Sequence, residues 1–156
     1  MICVKPGSTL GMEDDFPFMI HNVCYESVLQ RILCQRAVLA EDQHTFAAIR
    51  QTTSVKRMRE LAKRTPLDTE LQWEQLAYSS CLEAVRSKYS GACRHELMVE
   101  GEFVYIDTDL YWGCGISAAA AKLGIPFRGK NMYGQILSRV RSEIQDRRKV
   151  CGVQTE

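Results

Sequence analysis

Two aspartates, two tyrosines, a tryptophan and two glycines share the eleven-residue stretch YIDTDLYWGCG, from Tyr105 to Gly115. Asp109, Trp112 and Gly113 supply a carboxylate, an indole and a backbone position that tolerates close approach. That set suits cleavage of an N-glycosidic bond, which passes through a cation-like sugar. A carboxylate stabilises the charge or activates water, while an indole shields and positions the ring. The competing reading is local, because a turn aspartate often only caps backbone N–H groups. The spacing leaves both readings open.

Three further groups have chemical potential. The loop GKNMYG, Gly129 to Gly134, runs straight into a helix, where backbone N–H groups and Lys130 could hold a phosphate. It lacks the full P-loop spacing, which favours an ordinary glycine loop. Lys56, Arg57, Arg59, Lys63 and Arg64 spread around a helix and read as solvated surface. Lys63 and Arg64, at that helix's end, suit both its dipole and an anionic ligand. Trp73 reads as a partly buried anchor, or as an indole that stacks on a base or ribose.

The elements that must carry these residues follow from periodicity. Residues 16–25 read as a short hairpin around His21-Asn22. Helices are predicted from Ser27 to Ala40 with Ser27 as cap, over about 43–51, and from Ser54 to about Lys63 with Ser54 as cap. The longest runs from about Asp68 to Tyr89, with Leu71, Leu76, Ala77, Ala84 and Val85 inward. A short helical piece around 92–99 precedes a strand over Glu102–Ile106, whose Phe103 and Tyr105 alternate with Val104 and Ile106. Ser117–Leu123 forms a short helix ended by Gly124. Ile136, Leu137, Val140 and Ile144 mark a final helix before Arg147-Arg148-Lys149. The expected fold is mainly α with a few short β-strands (α+β) in a single domain. Residues 1–15 are expected to be loosely ordered, 16–146 to form the domain, and 147–156 a basic, polar tail.

Composition sets outer limits. Hydrophobic content of 46% and charged content of 25% predict a packed core. A net charge of +1 argues against a polycationic nucleic-acid coat, though a local basic face fits. No apolar run approaches the roughly 18 to 20 residues of a membrane span, and the N-terminus has no signal-peptide pattern. A cytoplasmic protein is expected, without membrane association. The seven cysteines form no C-x-x-C pair and the three histidines are scattered, so neither a metal nor another cofactor is expected. Most cysteines read as small buried hydrophobes in a reducing compartment. Cys114 has no adjacent histidine or basic residue and reads as an inert thiol.

Taken in order, these stretches resemble the NADAR or YbiA-like N-glycosidases. The family shows an S-V-E-H-Y…Q-K-A helix, a later helix opening with tryptophan, a D-x-x-W-G motif and a terminal G-x-N-x-x-G…L…V-R helix. Here YESVLQRILCQRA (Tyr25–Ala37) matches the first and Trp73 opens the long helix. Asp109-Leu110-Tyr111-Trp112-Gly113 is the D-x-x-W-G, and GKNMYGQILSRVR (Gly129–Arg141) the last helix. Lys63-Arg64 stands where the family commonly has glycine-arginine. The resemblance runs from about Phe16 to Ile144 and implies hydrolysis of N-glycosidic bonds in phosphorylated ribosides. Examples are riboflavin-pathway ribosylamino-pyrimidine phosphates and ADP-ribosylated guanine, the latter with ADP-ribosylated nucleic acid as a partner. It implies Asp109 at the ribose and Trp112 with Trp73 as aromatic walls. It also implies Gly113, Lys130, Asn131 and Gly134 around polar or phosphate groups, helped by Lys63 or Arg64. The family's catalytic glutamate follows S-V directly, and that position is Leu29. Glu26, three residues earlier, is expected about one helical turn away, and becomes the alternative carboxylate beside Asp109. The family's F-S-N-F-like strand has no counterpart in residues 1–15. Leu29 opens the alternative of a degenerate module that binds ADP-ribose or a related nucleotide without cleaving it.

Overall fold

The computed structural model describes residues 1–67 and 70–151. In chain order its elements are β1 (Ile2–Val4), β2 (Phe18–Ile20), β3 (Val23–Tyr25), α1 (Val28–Leu39), α2 (Gln43–Arg50), α3 (Val55–Ala62) and α4 (Glu70–Lys88). There follow a 3₁₀ segment (Ala92–Leu97), β4 (Phe103–Tyr105), α5 (Ala118–Lys122) and α6 (Met132–Val150). The fold is mainly α with a few short strands. The domain contains two compact units, one of Met12–Gly91 and one of Met1–Gly11 with the chain from Ala92 onward.

In the unit Met12–Gly91, β2 and β3 pair antiparallel with Phe18 opposite Tyr25 and Ile20 opposite Val23. His21 and Asn22 have φ of 50° and 64°, the left-handed pair that a two-residue hairpin turn needs to match strand twist. Ser27 then caps α1, its Oγ accepting the Gln30 N–H at 3.1 Å. Gln30 reaches back and accepts the Glu26 N–H at 2.7 Å, a close variant of the S-x-x-Q capping box. The Gln30 amide nitrogen donates to Ile49 O and Thr52 O, each at 3.1 Å. One buried side chain thus fixes both the start of α1 and the end of α2.

The apolar face of α1 packs chiefly against α4 and α2. Ala77, Ala84 and Val85 of α4 are buried, Leu76 is half-buried, and Leu71 is 69% exposed rather than inward. The buried stripe of α4 includes Lys88, Val85, Ala84, Cys81 and Ala77, each three or four residues from another member. Continued backward by four it reaches Trp73, leaving Leu71 off the face. The predicted start at Asp68 lies outside the described residues. On α3, Met58, Leu61 and Ala62 are buried, whereas Lys56, Arg57, Arg59, Lys63 and Arg64 are all exposed. These cations share one side of the helix instead of spreading around it.

Residues 1–15 are more ordered than expected. Glu13 meets Arg59 at 3.0 Å, and Asp14 meets the buried Lys88 Nζ at 2.9 Å. Pairing is what makes a buried ammonium tolerable. Met12 O accepts the Leu29 N–H at 2.9 Å, so this segment also caps α1. In the other unit, β1 runs parallel to β4 in the register Ile2–Phe103, Cys3–Val104, Val4–Tyr105. Phe103, Val104 and Tyr105 are all buried, so the expected alternation is absent, as in strands covered on both faces. Ile136, Leu137, Val140 and Ile144 are the inward residues of α6. That helix continues through Arg147-Arg148-Lys149, which were expected in a tail; cations suit its C-terminal end.

Replacing Gln30 by Leu should cost roughly 3 kcal/mol, because it removes the side-chain partner of one buried and two part-buried backbone groups, while Ser27→Ala should cost about 1 kcal/mol. Urea unfolding midpoints of the two variants check this order; a Gln30→Leu loss no larger than that of Ser27→Ala would contradict it.

Candidate functional site

The loop after β4 is built by its own carboxylates. Asp107 Oδ1 accepts the Asp109 N–H at 2.8 Å. Asp109 Oδ1 accepts the N–H groups of Tyr111 at 2.9 Å and Trp112 at 2.7 Å. The Asp109 carbonyl takes the Gly113 N–H at 2.9 Å. Short acidic side chains favour turns for this reason. Asp109 therefore serves the local capping role, and only its Oδ2 stands outside these bonds. Tyr111 and Trp112 meet edge to face with centroids 4.8 Å apart, and both are half-buried. Lys130 Nζ lies 5.7 Å from the Tyr111 ring centre. Exposed Asp109 and Lys130 thus share one loop cluster with these half-buried rings.

That cluster is locked by a backbone ladder. The N–H groups of Lys130, Asn131, Met132 and Tyr133 donate to the carbonyls of Leu110, Gly113, Tyr111 and Trp112 at 2.8, 2.9, 3.0 and 3.1 Å. Arg128 and Gly129 donate to Cys114 O. The first turn of a helix leaves N–H groups without helical partners, and in α6 the neighbouring loop supplies carbonyls to them. The N–H groups of residues 128–133 are consequently in use, in keeping with the ordinary glycine loop that the spacing of GKNMYG favours.

Both motif glycines serve this approach. A Cβ on Gly129 would strike Gly113 O, and one on Gly113 would strike Asp107 O and lie 2.8 Å from Asp107 Cβ. Gly113 is buried, so the structure gives it a packing role in place of the expected ligand contact. Asn131 is also turned inward, at φ 51°. Its Oδ1 accepts the Tyr105 N–H at 2.8 Å and its Nδ2 donates to Phe103 O at 2.9 Å. The carboxamide thereby mimics a neighbouring strand on β4, not a ligand clamp. A Cβ on Gly134 would collide with Phe103 O, so glycine lets α6 lie on the strand. Asn131 and Gly134 nevertheless edge a groove of about 360 Å³, with Glu102, Gln135 and Ser138.

The remaining candidates lie in the unit Met12–Gly91. Leu29 is 3% exposed, within the apolar face of α1. Glu26 is not on α1: Ser27, between them, is an N-cap with extended backbone at φ −157°. The expectation that Glu26 sits one helical turn below Leu29 is thereby corrected. Its N–H is held by Gln30 and its carbonyl by the Phe16 N–H at 2.9 Å, while the residue is half-buried. Trp73 is half-buried with the Arg36 guanidinium 5.3 Å from its ring centre, so α1 supplies a cation to that indole. Lys63 is the C-cap of α3, and both it and Arg64 are exposed.

Arg31 was not singled out from the sequence. It is buried, donating to Tyr25 OH at 2.8 Å and to Glu83 at 3.2 Å, and its Nε has no hydrogen-bond partner among the described residues. An arginine within an apolar helical stripe was the available signal. Among the described residues no three His, Cys, Asp or Glu side chains are grouped to hold a metal, and no helix is long and apolar enough to cross a membrane. Cys114 is buried, its thiol donating to Ile116 O at 3.3 Å. Burial pushes the Cys34 thiol up to about 12.

Because Asn keeps an acceptor oxygen, Asp109→Asn should cost under about 1 kcal/mol, whereas Asp109→Ala, which uncaps two N–H groups, should cost about 2 kcal/mol. Thermal unfolding of both checks the capping role, which equal losses would contradict.

A family model for the NADAR domain matches residues 7–145. None of the curated proteins compared with the chain matches it significantly. The NMR structure of the E. coli protein YbiA superposes with a TM-score of 0.76, over 99% of this chain and 92% of that one, at 16% identity. At that identity the likeness concerns the fold alone. The sequence match across both units, together with the ordered D-x-x-W-G and G-x-N-x-x-G loops, establishes that the chain belongs to the NADAR domain family.

Proposed function

We propose that the chain is a NADAR domain that binds ADP-ribose or a related phosphorylated riboside without cleaving it. The observation that carries this reading is Leu29. It occupies the position of the family's catalytic glutamate and lies 3% exposed in an apolar helix face. A leucine neither activates water nor stabilises a cationic sugar. Glu26 precedes the N-cap, and one oxygen of Asp109 is engaged by two backbone N–H groups. Binding has more support than hydrolysis. The half-buried rings of Tyr111 and Trp112 offer apolar faces to a base or ribose. Lys130 adds a cation for a phosphate in the same cluster; in the unit Met12–Gly91, Lys63 and Arg64 are exposed cations of their own. In that same unit Trp73, with the Arg36 guanidinium 5.3 Å from its ring centre, is a separate aromatic candidate.

A second reading keeps hydrolysis of the N-glycosidic bond, in ADP-ribosylated guanine or a ribosylamino-pyrimidine phosphate. It rests on the Asp109 oxygen that the capping bonds leave over, with Glu26 as the other carboxylate.

Calorimetry with ADP-ribose, beside product analysis on ADP-ribosylated guanosine and a ribosylamino-pyrimidine phosphate, separates the readings. We expect binding by wild type, at least about tenfold weaker in Trp112→Ala, since one aromatic stack contributes roughly 1 to 3 kcal/mol. Neither substrate should be turned over. Turnover by wild type that is lost in Glu26→Gln or Asp109→Asn would establish the hydrolase instead. Wild type that neither binds nor cleaves would overturn both. Leu29→Glu tests the missing carboxylate from the other side, with gained turnover the expected result.

A further inference from the structure

We infer that the exposed face of α3 docks the phosphate backbone of a nucleic acid. Charge in the unit Met12–Gly91 is segregated: ten Lys and Arg balance eleven Asp and Glu, yet six of the ten cations lie between residues 50 and 64, where Glu60 is the lone acid. On α3, Met58, Leu61 and Ala62 fill the buried side. Lys56, Arg57, Arg59, Lys63 and Arg64 occupy the opposite arc and are exposed. Arg59 is paired with Glu13 at 3.0 Å, and Arg57 stands 3.9 Å from Glu60. Lys56, Lys63 and Arg64 form no ion pair among the described residues.

The density of this charge matches a polynucleotide. Residues 56–62 of α3 span about 9 Å of helix axis and carry three cations, roughly one every 3 Å, against about one phosphate charge per 1.7 Å of duplex, with Lys63 and Arg64 directly after the helix. Gln51, Thr52, Thr53 and Ser54, just before the helix, add amide and hydroxyl groups of the kind that contact phosphate oxygens. A protein partner fits less well. Interface cores are anchored on aromatic and apolar side chains and are poor in lysine. Among the described residues, no large apolar side chain between positions 43 and 64 is exposed. With no exposed ring on α3 to stack on a base, contact is confined to the backbone and is independent of sequence. Lys63 and Arg64 are shared with the riboside reading, whereas Lys56, Arg57 and Arg59 lie on α3 and have no part in it, so the substitutions that test the inference fall on Lys56 and Arg57.

Fluorescence anisotropy with short, labelled, unmodified DNA, single-stranded and duplex, tests it. Neutralising three to five phosphates predicts a slope of log K against log salt of roughly −2.7 to −4.5 on duplex. Lys56→Glu/Arg57→Glu should weaken binding at least about tenfold at low salt, with unchanged circular dichroism. Arg147→Glu/Arg148→Glu, at the basic end of α6, should leave binding within about twofold of wild type. The inference is overturned by absence of salt-dependent binding, or by loss in the α6 variant with retention in the α3 variant. It is also overturned if polyglutamate displaces the DNA at equal charge concentration, which would reassign the face to an acidic protein.

Discussion

The first turn of α6 must find partners for its backbone N–H groups, and the loop Leu110–Cys114 provides them. Four carbonyls of that loop receive donors from residues 130–133, in addition to the two bonds that Arg128 and Gly129 donate to the Cys114 carbonyl. Other features of the unit follow from this requirement. The two backbones must come within hydrogen-bonding distance, so Gly113 and Gly129 cannot carry a Cβ where they cross. Asn131 must turn the chain in the left-handed region, which asparagine tolerates better than most residues. In that conformation its carboxamide meets the free side of β4. Gly134 then allows α6 to rest on the strand, and Tyr133 packs edge to face on Tyr105 at 4.7 Å. The Tyr133 hydroxyl donates to Leu10 O at 2.7 Å, so the N-terminal segment is tied to the same helix.

Local signals in the sequence were legible and long-range ones were not. Ser27 and Ser54 cap α1 and α3 as expected, and Ser117 caps α5 in the same way, because a cap is decided within three residues. The His21-Asn22 turn is local in the same sense. β1 gave no such signal: a three-residue strand is defined by a parallel partner near residue 104. The acidic run at Glu13 looked like solvated chain because Arg59 and Lys88, which hold it, lie far along the sequence.

The candidate site was legible in composition and less so in role. Asp109, Trp112, Lys130 and Asn131 were named from the sequence, and the structure places them in one unit with Gly113 and Gly134. What the sequence did not convey is that glycine, asparagine and backbone N–H, the usual attributes of a phosphate loop, here satisfy one another. A glycine-rich loop before a helix has the same composition whether its donors face an anion or a neighbouring carbonyl. Only the position of Leu110–Cys114 in space distinguishes the two. Glu26 failed for a related reason: three-residue spacing means one helical turn only inside a helix, and Ser27 is extended.

This economy constrains any chemistry the loop performs. Asp109 holds the Tyr111 and Trp112 N–H groups through one oxygen, and the carbonyls of those two residues in turn hold Met132 and Tyr133. A swing of the carboxylate toward a substrate would uncap the aromatic pair and loosen the start of α6. The capping bonds therefore hold the Asp109 carboxylate in place, with Oδ2 alone outside them. A fixed charge and fixed rings suffice for recognition. Turnover also asks for a group that delivers or accepts a proton during the reaction, and where the proposed reading looks for that group the chain has Leu29, buried in the apolar face of α1.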